Sequence, residues 1–358
     1  MMENQTQTTQ LQASTVCPAT KSKSISVTQL LYFAILLLFL ALIPENAAAK
    51  IWRVNNTGDV TADFTSIQEA IDNAGAGDTI HVEPSSIVYS KFEASKRITI
   101  LGSGYFLNEN DSTQNNLLSS KVDNKFNVSA ANVYISGLTF TQTLSFQSNI
   151  SASNVTITKC FFTAAQSLNI NFGNFSNINI SNNYISNNIR GTAGSTCSNC
   201  RIENNYVEGD ITARGGSFII AFNIIGNSIN ADNSTIQNNI FRTENNATTL
   251  INGSGNTIQN NLTALNQLDE ADGNIKNADL STVFVGSSGN STDGQYQLSE
   301  NSPAKGSGLQ GIDMGMFGGG SPYILSGIPP IPHIYELTVP TQTSKEAGLT
   351  ISIKAKSN

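Results

Sequence analysis

The chain has 358 residues, 13% of them charged, with a formal net charge of -7 and a pI near 4.9. Nothing in it offers the basic stripe that phosphates require, which argues against nucleic acid as a partner. His81 and His333 are the only histidines, so neither a histidine-built metal site nor a catalytic triad is expected.

Residues 1–29 are polar, and Leu30 to Ile43 then form an unbroken apolar run ending before Pro44. That run falls short of the roughly 20 residues a membrane helix needs. Ala47, Ala48 and Ala49 follow as a small-residue cleavage site. Residues 1–49 therefore read as a secretory signal peptide, with an uncleaved membrane anchor as the alternative. Either way the rest of the chain is expected to be secreted or held at the cell surface. It would meet a membrane only through this segment, if uncleaved.

Ile51–Val54 reads as a strand. Phe64, Ile67, Ala70, Ile71 and Ala74 share one helical face, and Gly75 and Gly77 end that helix. A clean strand follows at Asp78–Val82. Placed before a stack of strands, such a helix would cover the open end of the core.

From Asn132 to Thr263 one phrase recurs: a short alternating strand, a polar pair that is usually Asn-Asn, and a second short strand. It stands at Asn132–Phe140, Asn154–Phe162, Asn177–Ile185 and Asn199–Val207, weakens at Ser217–Ile225, and returns at Ser234–Phe241 and Asn256–Thr263. Ile135 to Ile157 is 22 residues, Ile157 to Ile180 is 23, and Ile236 to Ile258 is 22. A fixed period of this size marks a stacked repeat. Asn182/Asn183, Asn204/Asn205, Asn238/Asn239 and Asn260/Asn261 are expected in one turn column, because Asn tolerates left-handed backbone. Ile135, Ile157, Ile180, Ile202, Ile236 and Ile258 are expected in one inward stack. Cys160 sits at an inward position as a small core residue. Cys197 and Cys200, placed between strands, form a local disulfide or remain two thiols; a lone CxxC without histidine makes a poor zinc site.

Past Ser321, prolines 322, 329, 330 and 332 make an extended linker. Ile334–Val339 and Leu349–Lys354 alternate as a β-hairpin would. This tail is expected to cap the last rung, with contact to a partner as the alternative.

The stretch DFTSIQEAIDNAGAGDTIHV at residues 63–82 resembles the opening of right-handed parallel β-helix proteins of the pectate lyase-like superfamily. The repeat fits the same group. So does the series Asp279–Val285, Gln295–Leu298, Asn301–Ala304 and Gly311–Gly315, which is similar to the last coils of many secreted β-helix proteins. The resemblance implies an all-β right-handed parallel β-helix over residues 50–320, with an N-terminal capping helix and a C-terminal hairpin tail over 321–358.

It does not carry chemistry over. The clustered aspartates of β-helix glycosidases, the Arg-x-Pro-x-x-Arg element of pectate lyases and the Asp-Phe-Ile-x-Gly phrase of pectinesterases are all missing from the chain. Polar residues beyond the Asn pairs are the remaining candidates: Asp210, Arg214, Asp232 and Arg190 for catalysis, and Thr212, Asn230, Asn169 and Asn171 for binding. Lys159 and Arg190, Arg201, Arg214 and Arg242 are the cations within reach of a lyase mechanism, which needs a base near a sugar proton and a cation on its carboxylate. A non-catalytic protein binding a polysaccharide or another surface component is therefore expected. A polysaccharide lyase or related enzyme is the alternative. No cofactor is evident, and calcium enters only with the lyase reading.

Overall fold

The computed structural model describes residues 49–123, 126–141, 148–163, 168–170, 174–191, 196–342 and 348–357, together with 26, 28, 31 and 32. Residues 1–48 form a unit of their own. Within it Thr28, Leu31 and Tyr32 are helical and exposed; the rest of the apolar run expected as signal or anchor lies outside the described residues. Among the described residues no helix is long and apolar enough to cross a membrane.

From Ala49 onward the chain is a parallel β-solenoid of three sheets with eleven, eight and eight strands. Seven successive coils, from the one that begins at Thr99–Leu101 to the one that ends at Ile251–Asn252, each contribute a short strand to all three sheets. Strands this short have few backbone hydrogen bonds apiece, so stability comes from stacking identical positions coil upon coil. The expected isoleucine column is present in the first sheet: Ile135 pairs with Ile157, then Ile180, Ile202, Ile220, Ile236 and Ile258 in unbroken register. Ile220 fills the coil where the phrase is weakest. Inward phenylalanines pack across two sheets: Phe126 of the third meets Phe140 of the second at 4.7 Å, and Phe140 stacks on Phe162, its register partner in the next coil, at 5.0 Å.

The N-terminal end is closed as the periodicity predicts. Helix Ile67–Asn73 is capped by the Ser66 hydroxyl and buries Ile67, Ala70 and Ile71. Asp78 ties the entry together by accepting from the backbone N–H of Lys50, the indole of Trp52 and the backbone N–H of Gly75. Those bonds, led by Lys50, hold its carboxyl below the usual range against the opposing effect of burial.

Within each asparagine pair the two residues do different work. The first takes positive φ: 57° at Asn182, 55° at Asn204, 57° at Asn238 and 50° at Asn260. The second is fully buried and forms a ladder through the stack. Asn205 Oδ1 accepts from the N–H and side-chain amide of Asn183, each at 3.0 Å, and the Asn205 amide passes the pattern to Asn223. Asn239, Asn261 and Asn274 continue it. At the other end Asn183 accepts from the Cys160 N–H.

Cys197 and Cys200 are disulfide-bonded. They lie inside one first-sheet strand, Cys197–Glu203, rather than between strands, and flank an irregularity in its pairing with Gly216–Ala221. Cys160 is free and buried in the core.

The C-terminal third departs from expectation. Among the described residues, parallel strands stop at Leu262–Thr263, followed by a single bridge to Ile275. The segment resembling further coils is instead a strap of isolated 3-10 turns. It returns along the stack toward the N-terminal coils, held by hydrogen bonds made by the first residue of five turns. Asn260 donates to Ser307 O, Asn238 accepts from Leu309 N, and Asn204 donates to Met316 O and Gly318 O. Asn182 donates to Ser321 O, and Lys159 reaches Ile328 O at 3.2 Å. The strap therefore crosses the boundary expected at residue 320. Val283, Ala304, Met314, Met316 and Tyr323 cover the outward face of the second sheet, burying Tyr184, Tyr206, Ile224, Ile240 and Leu262 in a second core.

The tail hairpin forms from antiparallel strands His333–Thr338 and Ser352–Lys356. It does not cap the last rung. Its first strand sits beside Asn115, near the N-terminal coils, because the strap has carried the chain back there.

Candidate functional site

The strand directly after each Asn pair belongs to the second sheet, which the strap covers. The polar candidates lie one strand further, on the third sheet. There a single register column runs Glu93, Asn127, Asn149, Asn169, Arg190, Thr212, Asn230 and Asn252, each paired with the next. Four expected residues, Asn169, Arg190, Thr212 and Asn230, thus share one face. Its positions are spaced about 4.8 Å apart, so the column extends roughly 34 Å along the stack. Arg190 is exposed, while Thr212 and Asn230 are half-buried. Arg214, also exposed, donates from Nε to Asn230 Oδ1 at 2.7 Å. Asn171 lies outside the described residues.

The two carboxylates do not join this column. Asp210 precedes the strand Ile211–Ala213, and its Oδ1 accepts from the Asn227 amide and from the hydroxyl and N–H of Ser228. Asp232 follows the next strand, Ile229–Ala231, and accepts from Ser254 N at 3.0 Å. The pairing aligns Asp210 with the start of one strand and Asp232 with the end of its neighbour. About four residues of extended chain separate their backbone positions, on the order of 13 Å, and each carboxylate is turned to a different coil-to-coil bond. Paired glycosidase carboxylates stand closer, at about 5 to 9.5 Å. Both aspartates are turn-fastening groups in this geometry.

A cluster that sequence reading missed lies where the strap meets the second sheet. Tyr184 stacks on Tyr206 at 4.3 Å, and Tyr206 on Tyr296 of the strap at 4.4 Å. The hydroxyls of Tyr206 and Tyr296 meet at 2.8 Å, and Tyr206 also donates to Glu208. Arg242 lies over both rings, donating from Nη1 to Tyr206 and to Glu208. Burial lowers the Arg242 guanidinium's affinity for its proton, but the surrounding oxygens of Tyr206, Tyr296 and Glu208 outweigh it and hold the pKa above the usual value. Burial pushes the Tyr206 hydroxyl far up, so it is a hydrogen-bond donor and not a base. One signal was available: tyrosine follows the Asn pair in two successive coils, an outward aromatic where a soluble solenoid would place a polar group.

Among the described residues no group of three or more metal-ligating side chains occurs. No family model matches the chain. No curated protein matches it either. The class defined by the structure is accordingly that of a parallel β-solenoid closed on one sheet by its own C-terminal strap.

Proposed function

We propose that this is an exported, non-catalytic protein that binds a polysaccharide along the outward face of its third sheet. The observation that carries the reading is the register column from Glu93 to Asn252, which offers an extended polymer a polar residue, most often asparagine, at each coil. The Cys197–Cys200 disulfide supports export, because such bonds persist in oxidising compartments. The capping phrase at residues 63–82 and the repeat support a right-handed coil and kinship with pectate lyase-like proteins. Fold alone does not license their activity, and the two separated aspartates favour binding over bond cleavage.

Affinity electrophoresis through gels carrying polygalacturonate, alginate or a glycosaminoglycan tests this. At least one polymer should retard the protein, and the double variant Arg190→Ala/Asn230→Ala should lose most of that retardation. Unretarded migration through every gel, or retardation indifferent to the double variant, would sink it. Ultraviolet absorbance from unsaturated products in the same mixtures, with calcium present, would instead establish the lyase alternative.

A further inference from the structure

A cavity of about 310 Å³ opens beside the tyrosine–arginine cluster, lined among others by Arg242, Glu244, Leu280, Phe284, Gln295 and Tyr296. Phe284 and Tyr296 stand at 89° with centroids 5.6 Å apart, forming a corner of two half-buried rings. Arg242 is locked by its Nη1 bonds to Tyr206 and Glu208, and among the described residues no protein group takes its Nε or Nη2. The Gln295 amide is oriented by its donation to Thr292 O at 2.8 Å, which leaves its carbonyl oxygen as an acceptor. Glu244 is exposed at the rim.

The walls therefore combine a fixed donor fork, carboxylate and amide acceptors, and an aromatic corner. The formal charges are one cation, Arg242, against two carboxylates, Glu208 and Glu244. That balance disfavours an anion, because Glu208 already neutralises the guanidinium. A fully apolar guest would leave the half-buried guanidinium nitrogens without acceptors. What matches is a neutral ring bearing hydroxyls on its edge and C–H groups on its face. We propose that this cavity is a binding site for a single neutral hexopyranose unit. One face of the sugar lies on the Phe284–Tyr296 corner, and its hydroxyls bond Arg242, Glu244 and Gln295.

The proposal shares only its ligand class with the carbohydrate reading above, and the site lies on a different sheet. Saturation-transfer NMR and isothermal titration with methyl glycosides of glucose, galactose and mannose test it, with glucuronate and galacturonate as charged counterparts. At least one neutral glycoside should bind at millimolar concentration, at least fivefold more tightly than either uronate. Phe284→Ala should weaken that binding at least fivefold, as should Gln295→Leu; both residues are partly exposed and leave the Arg242 clamp in place. Arg190→Ala/Asn230→Ala should leave it unchanged, which separates this site from the polymer face. The proposal is overturned if no neutral glycoside binds, if a uronate binds as well or better, or if Phe284→Ala and Gln295→Leu retain full affinity.

Discussion

At the scale of single residues, the asparagine pairs show how two identical side chains a peptide apart diverge in role. The first must tolerate left-handed backbone and faces the strap; the second points inward, where every unmet amide group is penalised. Replacing Asn205 by Ala removes the acceptor used twice by Asn183 and the donor to the carbonyls of Ile180 and Glu203. With buried orphan groups costing about 1–3 kcal/mol each, the loss should be about 3 kcal/mol or more in urea unfolding. Replacing the exposed Asn246 should stay within about 0.5 kcal/mol. The column of pairs was legible because Asn repeats at the coil period. The division of labour was not, since it depends on which neighbour each side chain meets. The coil at Phe222 shows why: its first position is an aromatic at φ 57°, yet Asn223 keeps the ladder whole. His81 offers a separate test. Burial depresses its pKa below 6.5, with Glu83 opposing and Arg53 adding to the shift. The unfolded chain therefore binds the proton more readily, and stability must fall as pH drops through the region below 6.5. His81→Gln should flatten that part of a stability-versus-pH curve, and an unchanged slope would assign it to carboxylates such as Asp78.

Among elements, the strap was the least legible. Its contributions to the second core come from scattered residues such as Val283, Ala304 and Met316 on short turns, with neither a two-residue nor a coil-length period. Its resemblance to closing coils reflects the same Gly, Asn and small apolar residues used for a different path. The strap is fastened by the buried carboxylate of Asp293, which among the described residues has no cationic partner. Asp293 accepts from the Asn110 amide and the Ser291 hydroxyl at one oxygen, and from Ser326 N and the Tyr323 hydroxyl at the other. Tyr323 in turn meets Tyr105 at 2.6 Å. Asp293→Asn would set an amide against donors and should destabilise the strap by roughly 2 kcal/mol or more. Limited proteolysis should then cut residues 290–330 while the coils stay resistant; equal resistance of both regions would show that the latch is dispensable. The disulfide is a smaller effect. It closes a very short loop, so reduction should lower stability by no more than about 2 kcal/mol, measured by thermal melts with and without reductant.

For the whole molecule, the three sheets have different fates. The first and third present mainly polar columns, broken in the first by Ile219, whereas the second carries Tyr184, Tyr206, Ile224, Ile240 and Leu262 and is covered by the chain's own return. The hairpin at the end of that return is a different kind of appendage. Leu337, Val339, Leu349, Ile351 and Ile353 are each at least 40% exposed, and its described ties to the body run through Asn115. Two truncations should therefore behave oppositely. Ending the chain after residue 332 removes strands that bury little, and the melting temperature should shift by only a few degrees. Ending it after residue 277 strips the second sheet, exposes a contiguous apolar face, and frees the Asn204 amide from both of its carbonyl partners. A solenoid missing that cover should bind a hydrophobic dye and aggregate on heating. If the shorter protein instead stayed monomeric with an unshifted melt, the coil stack alone would hold the fold, and the strap would be only a late addition to its surface.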